Sequence, residues 1–143
     1  MKRIDVTKYL DIPYKHLGSS FAGADCLGLC RLFFMTEFNV LLPDPAYDED
    51  WDNQGQNLIT EGYSEICEKG NTPERYGMVG FRLPGHYVEH HLGIVLWDCE
   101  QFLHSPLNQK SRLEKLSHPV WKRSVTSYYS VKNINNSQLI VNN

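Results

Sequence analysis

The chain has 143 residues, of which 41% are hydrophobic and 22% charged, with a net charge of −3. That length suits one domain, and the balance excludes a disordered or low-complexity chain. No apolar run approaches the ~18 residues a membrane-crossing helix needs, and the basic residues form no patch, so neither a membrane span nor nucleic-acid binding through phosphates is expected.

The N-terminus reads Met1-Lys2-Arg3-Ile4-Asp5, with charges where a secretory leader needs an apolar run, so no cleaved leader is expected. Asp5 can cap a short helix over residues 6–10, which must stop before Pro13. Residues 14–24 are rich in Gly and Ser and read as a loop. Over Cys26–Phe38, Leu27, Cys30 and Phe34, with Leu29 and Phe33 beside them, recur at three- and four-residue steps. This spacing predicts a helix, with Asp25 as its N-cap and Asn39 as its stop. Gly28 inside that helix costs about 0.5–1 kcal/mol relative to Ala, so a close approach by another segment is expected there.

Val40-Leu41-Leu42 leads through Pro43 into an acidic stretch containing Asp44, Asp48, Glu49, Asp50 and Asp52, which reads as a solvated loop. Residues 56–68 predict a second, weaker helix, with Gly70 as its stop. Sheet follows: strands over 77–83 and 91–97, a turn at Asp98-Cys99-Glu100, and a strand over Gln101–His104. Pro119-Val120-Trp121 starts a short helical piece, and Val125–Val131 alternates like another strand. Residues 133–143 hold five asparagines and form a polar tail beyond a domain of residues 1–132. In that tail Leu139-Ile140-Val141 could dock on a neighbouring subunit. Helices first and an antiparallel meander after them give an α+β fold.

Cys26 and Cys30 are four apart on one helix, a poor geometry for a disulfide, so four free thiols are expected, most of them buried. Cys26 stands apart because it opens the helix. There it feels the positive end of the helix dipole, which with a nearby histidine lowers a thiol pKa, and the free N–H groups of the first turn can hold an oxyanion. A buried structural cysteine that happens to begin a helix is the ordinary alternative. His91 opens one predicted strand and His104 ends the next, and a turn centred near residue 98 puts them opposite each other, so one histidine could orient the other. Ordinary surface histidines are the alternative. Cys26-x3-Cys30 with His86-x3-His90 also offers four zinc-type ligands, although structural zinc favours cysteine pairs on tight knuckles.

Six blocks together resemble the NlpC/P60 family of papain-like cysteine peptidases. They are Ile12-Pro13-Tyr14, Gly23-Ala24-Asp25-Cys26-Leu27-Gly28-Leu29, Leu42-Pro43, Gly77-Met78-Val79-Gly80-Phe81, His91-Leu92-Gly93-Ile94-Val95-Leu96 and Phe102-Leu103-His104-Ser105. They run in the family's order over residues 7–106. The resemblance implies a papain-like fold with Cys26 as nucleophile, His91 as base and His104 as the third polar group. Tyr14 and Asp25 would stand beside the oxyanion or substrate, and no metal or cofactor would take part. It implies hydrolysis of peptidoglycan stem peptides at bonds involving D-Glu and diaminopimelate.

The block from Asp25 to Leu32, and the ending Pro119-Val120-Trp121-Lys122-Arg123 with Tyr128-Tyr129, resemble the phage-tail branch. That implies a virion protein of the tail tip, with tail-tip or hub proteins as partners, acting in the host cell wall or periplasm; a cytoplasmic enzyme is the alternative location. A structural tail protein with the same fold, or an amidase or acyltransferase on another substrate, are the alternative functions. Two positions depart from the family: Leu27 stands where cell-wall members carry Ser, and Met78 follows Gly77 where Asp is usual. A thiolate–imidazolium pair between Cys26 and His91 is expected before substrate arrives.

Overall fold

In the computed structural model of the protein, the described residues are 2–44, 47–49, 51, 57–63, 66–132 and 134. Near the N-terminus the predicted helix is only a 3-10 turn, Thr7–Tyr9, with Asp5 Oδ1 accepting from the Thr7 amide at 3.0 Å. The expected loop over 14–24 contains a two-stranded ribbon, β1 (Ser19–Ser20) and β2 (Gly23–Ala24), which presents the next helix.

That helix, α1 (Cys26–Phe38), has both predicted ends. Asp25 Oδ1 accepts from the Gly28 amide at 2.8 Å, and Asn39 closes the last turn in the left-handed conformation, its amide donating to the Met35 carbonyl and the next amide, Val40, to the Phe34 carbonyl. Most of its circumference is buried, with Leu27, Leu29, Cys30, Phe33, Phe34 and Phe38 in the core. The close approach expected at Gly28 is made by Gly18: a Cβ on Gly28 would overlap the Gly18 carbonyl oxygen.

After α2 (Leu58–Gly62) come β3 (Cys67–Gly70), β4 (Met78–Phe81), β5 (His91–Val95), β6 (Gln101–His104), β7 (Arg112–Lys115), α3 (Pro119–Ser124) and β8 (Val125–Val131). Six strands form one antiparallel sheet in the order β3-β8-β4-β5-β6-β7. Of the predicted meander only β4 to β6 pair in sequence order, and β7 extends them. α3 turns the chain back, and β8 inserts between β3 and β4. The second predicted helix, 56–68, is also too long. α2 ends at Gly62, and Cys67–Gly70 is a strand because β8, far along the chain, supplies its backbone hydrogen bonds. Strand β7 is absent from the sequence reading, since Arg112-Leu113-Glu114-Lys115 has one apolar residue and shows no alternation.

The sheet separates two apolar layers. Met78, Leu92, Ile94 and Leu103 pack with α1 in the main core. Val79, Phe81, Val95 and Phe102 form a second cluster, against which Trp121 of α3 packs. Among the described residues no helix is long and apolar enough to cross a membrane. The predicted tail over 133–143, with its docking segment Leu139-Ile140-Val141, lies outside the described residues except for Ile134, which packs against the main core.

Candidate active site

Asp25 builds the thiol side of the site. It is buried, and its carboxylate accepts three hydrogen bonds: from the Gly28 amide, from the Leu17 amide at 2.9 Å, and from the Tyr47 hydroxyl at 2.5 Å. These bonds fix the first turn of α1 against the preceding loop and against Tyr47. Asp25 thus holds the scaffold of the site with its oxygens already engaged. Cys26 follows at the first helical position, where its own amide has no partner within the helix. Its sulfur lies against the start of β5, 3.9 Å from the His90 carbonyl oxygen.

The histidines approach from the sheet. His91 Nε2 lies 2.8 Å from His104 Nδ1, with the rings edge to face. Both side chains are buried, and Trp121 covers them, its ring centroid 5.8 Å from His91 and 5.0 Å from His104. The pairing predicted from the turn is corrected by two residues. Ile94 faces Leu103 and Val95 faces Phe102, so the same register sets His104 opposite Gly93 and makes His91 its diagonal neighbour. The absent side chain at Gly93 leaves the space; a Cβ there would stand 2.8 Å from the Phe102 ring and 3.5 Å from His104 Cβ. On its far side His104 Nε2 meets Glu114 Oε2 at 3.0 Å, and Arg112 Nη2 is 3.6 Å from that same oxygen.

Burial decides the resting charges. It pushes the Cys26 thiol up to about 12, with Asp25 adding to the effect and the Leu92, Leu27 and Cys26 amides opposing it. Burial lowers His91 to about 3, helped by His90 and His86. It lowers His104 to about 2, helped by His91 and Arg112. Against the expected thiolate–imidazolium pair, burial favours a neutral thiol beside neutral imidazoles, because the site offers little solvation to either charge. Tyr14 is also pushed well above the ordinary tyrosine range, by burial first and then by Cys26, so its hydroxyl stays a donor.

Cys26, His91, Tyr14 and Asp25 line one cleft of about 420 Å³. His104 stands behind His91. Sequence reasoning missed several of the remaining walls. Tyr47, Glu49 and Trp51 come from the acidic segment read as a solvated loop, and Arg112 comes from the unrecognised strand β7. A Tyr and a Trp within an acidic run were the available signal. The four-ligand zinc set is not assembled: Cys30 is buried, while His86 and His90 stack with centroids 3.6 Å apart. Among the described residues no group of three or more His, Cys, Asp or Glu is placed to hold a metal ion. All four cysteines are free thiols; Cys30 and Cys67 are buried, and Cys26 and Cys99 are partly exposed.

The model of the NlpC/P60 family matches residues 11–130. No curated protein sequence matches the chain. Among solved structures the chain is similar to the NlpC/p60 domain of the peptidoglycan hydrolase SagA, at 17% identity and a TM-score of 0.58, covering 87% of this chain and 91% of that one. It is similar to an NlpC/P60 family protein from Bacillus cereus, at 16% identity and a TM-score of 0.56, covering 84% of this chain and 35% of that one. A lipoprotein-like NLP/P60 family protein from Staphylococcus aureus shares 19% identity with a TM-score of 0.57, over 91% of this chain and 43% of that one. At these identities the likeness is one of fold, and the chain spans less than half the length of the last two proteins.

Proposed function

The chain belongs to the NlpC/P60 family, and from that premise we propose that it is a cysteine peptidase cutting amide bonds in peptidoglycan stem peptides. Cys26 is the nucleophile, His91 the base and His104 the group that orients it. One observation carries the reading: a helix-opening thiol and an imidazole already hydrogen-bonded through its far nitrogen line the same cleft.

The chemistry starts from neutral partners. His91 Nδ1, the nitrogen not engaged by His104, takes the thiol proton as the sulfur attacks the scissile carbonyl carbon. The carbonyl oxygen becomes an oxyanion that accepts from the Cys26 amide and the Tyr14 hydroxyl. Collapse of this intermediate expels the amine, which takes the proton back from His91 and leaves a thioester. Water, deprotonated by His91, then releases the acid. Leu27 lines the cleft where a serine hydroxyl would hold the stem peptide, so that contact is apolar here.

We place this activity at a phage tail tip, with tail-tip or hub proteins as partners and the host wall as the site of action. The resemblance of residues 25–32 and of the α3–β8 ending to the phage-tail branch supports this setting. The apolar walls Leu27, Trp51, Leu83, Leu107 and Trp121 favour a second reading, acyl transfer from an amide outside peptidoglycan.

Digestion of purified peptidoglycan of several chemotypes, followed by mass spectrometry of the fragments, tests the proposal. Stem peptides cut at one amide bond are expected, with no products from Cys26→Ser. Intact stems throughout, from a protein whose Cys26 still reacts with iodoacetamide, would overturn it. Transfer of an acyl group to an added amine in place of water would establish the second reading.

A further inference from the structure

The two buried histidines can share their hydrogen bond in two ways. His91 Nε2–H can donate to His104 Nδ1, or His104 Nδ1–H can donate to His91 Nε2. The 2.8 Å separation serves both equally. Their consequences for Cys26 are opposite. In the first arrangement the proton of neutral His91 sits on Nε2, and Nδ1 carries the lone pair a thiol needs. In the second the proton sits on Nδ1, and His91 offers the thiol a donor.

Glu114 distinguishes the two. Its Oε2 is 3.0 Å from His104 Nε2, and Arg112 pairs with the same oxygen at 3.6 Å, while Arg112 Nη1 donates to Gln109 Oε1 at 2.5 Å. An ionised carboxylate can only accept, so His104 must donate from Nε2. Neutral His104 has one ring proton, so its Nδ1 is then an acceptor, and His91 must donate from Nε2. The relay runs diagonally across one face of three strands, from Glu114 on β7 to His104 on β6 to His91 on β5. His104 has no exposure to water that could replace the carboxylate.

We propose that Glu114 is a positioning residue that acts through His104 to hold His91 in the Nε2–H tautomer, leaving His91 Nδ1 free to take the Cys26 proton. The inference rests on Cys26 and His91 as nucleophile and base, and is independent of the substrate.

Long-range proton–nitrogen NMR of the imidazoles in the full chain at neutral pH reads the tautomers directly. Both His91 and His104 are expected as Nε2–H in the native protein. Glu114→Ala is expected to give a mixture at both rings. Glu114→Gln, whose amide can donate to His104 Nε2, is expected to move protons to Nδ1, and Glu114→Asp to restore the native pattern. In parallel, the rate of Cys26 alkylation by iodoacetamide, read by mass spectrometry, is expected to fall about tenfold in the Ala and Gln variants, a fraction of the ~10²–10⁴-fold a positioned base supplies. Glu114 lies on an edge strand and is partly exposed, so the variants are expected to fold, which circular dichroism checks. Native tautomers at His91 in both the Ala and Gln variants would overturn the proposal, whatever happens to activity. So would shifted tautomers with an unchanged alkylation rate. Neither readout uses peptidoglycan, so failure of the substrate assignment and failure of this relay are separate results.

Discussion

The thiol side of the cleft and its histidine side are built in opposite ways. Cys26 is placed by one short stretch of chain: Asp25 caps the helix, Leu17 and Tyr47 hold Asp25, and Gly28 lets Gly18 pass against the first turn. Apart from Tyr47, these contacts are local and follow from helix-start chemistry. The histidine side is spread over β5, β6 and β7 and roofed by Trp121 of α3, and its geometry exists only when those strands pair in register. The helix half is fixed by local hydrogen bonds and tight backbone contact, whereas the strand half is fixed by packing between distant segments. The two should therefore fail differently when perturbed.

The largest difference is expected in catalysis. His91→Ala should lower kcat/KM on stem-peptide substrate by about 10³-fold or more, and His104→Gln by about 10–100-fold, because glutamine keeps a polar partner for the base. A reversed ranking in steady-state kinetics would assign the base to His104.

Alkylation sharpens the contrast between two thiols one helical turn apart. In His91→Ala, where no base assists a thiol pushed up to about 12, Cys26 should react with iodoacetamide about tenfold faster per pH unit between about pH 6 and 9, whereas in the native protein, with neutral His91 taking the proton, the rate should be nearly independent of pH there. Cys30, buried in the core, should stay unlabelled in the folded protein. A rate that levels off across neutral pH in His91→Ala would mean that the thiol ionises there without its base.

Stability should separate two glycines. Gly28→Ala forces a methyl into the Gly18 carbonyl, backbone against backbone, and should cost about 3 kcal/mol or prevent folding, the upper range for overpacking. Gly93→Ala meets the Phe102 ring and the Leu103 carbonyl at longer range and should cost about 1–2 kcal/mol while displacing His104, so that activity falls more than stability does. Urea denaturation alongside kinetics measures both.

Acid acts on the histidine half alone. His91 and His104 stay neutral in the folded protein at pH values where the unfolded chain protonates them. Below about pH 6.5 the unfolded state therefore binds more protons, and stability should decline as pH drops from 6.5 toward about 3. His104→Gln should show a shallower decline in urea midpoint between pH 7 and pH 4.5 than the native protein. Equal slopes would mean the buried imidazoles are not what acid titrates.

Much of the thiol half is legible in the sequence because it is local. The apolar spacing of Leu27, Cys30 and Phe34 gives α1, Asp25 and Asn39 mark its ends, and a glycine at position 28 announces a neighbour without naming it. The order of strands β4 to β6 is legible too, from alternation and one turn. What the sequence does not carry is whatever depends on distant pairing. Cys67–Gly70 exposes three of its four residues and is a strand only because β8 lies beside it. Arg112–Lys115 is a strand only because β6 is there, and that pairing alone brings Glu114 to His104. The two-residue shift that makes His91 and His104 diagonal neighbours is set by side-chain packing along β5 and β6, which the turn residues by themselves do not specify. The resting charge of the site was also decided by tertiary structure: a helix dipole can be read from position along the chain, but the burial that outweighs it comes from segments that meet only in the fold.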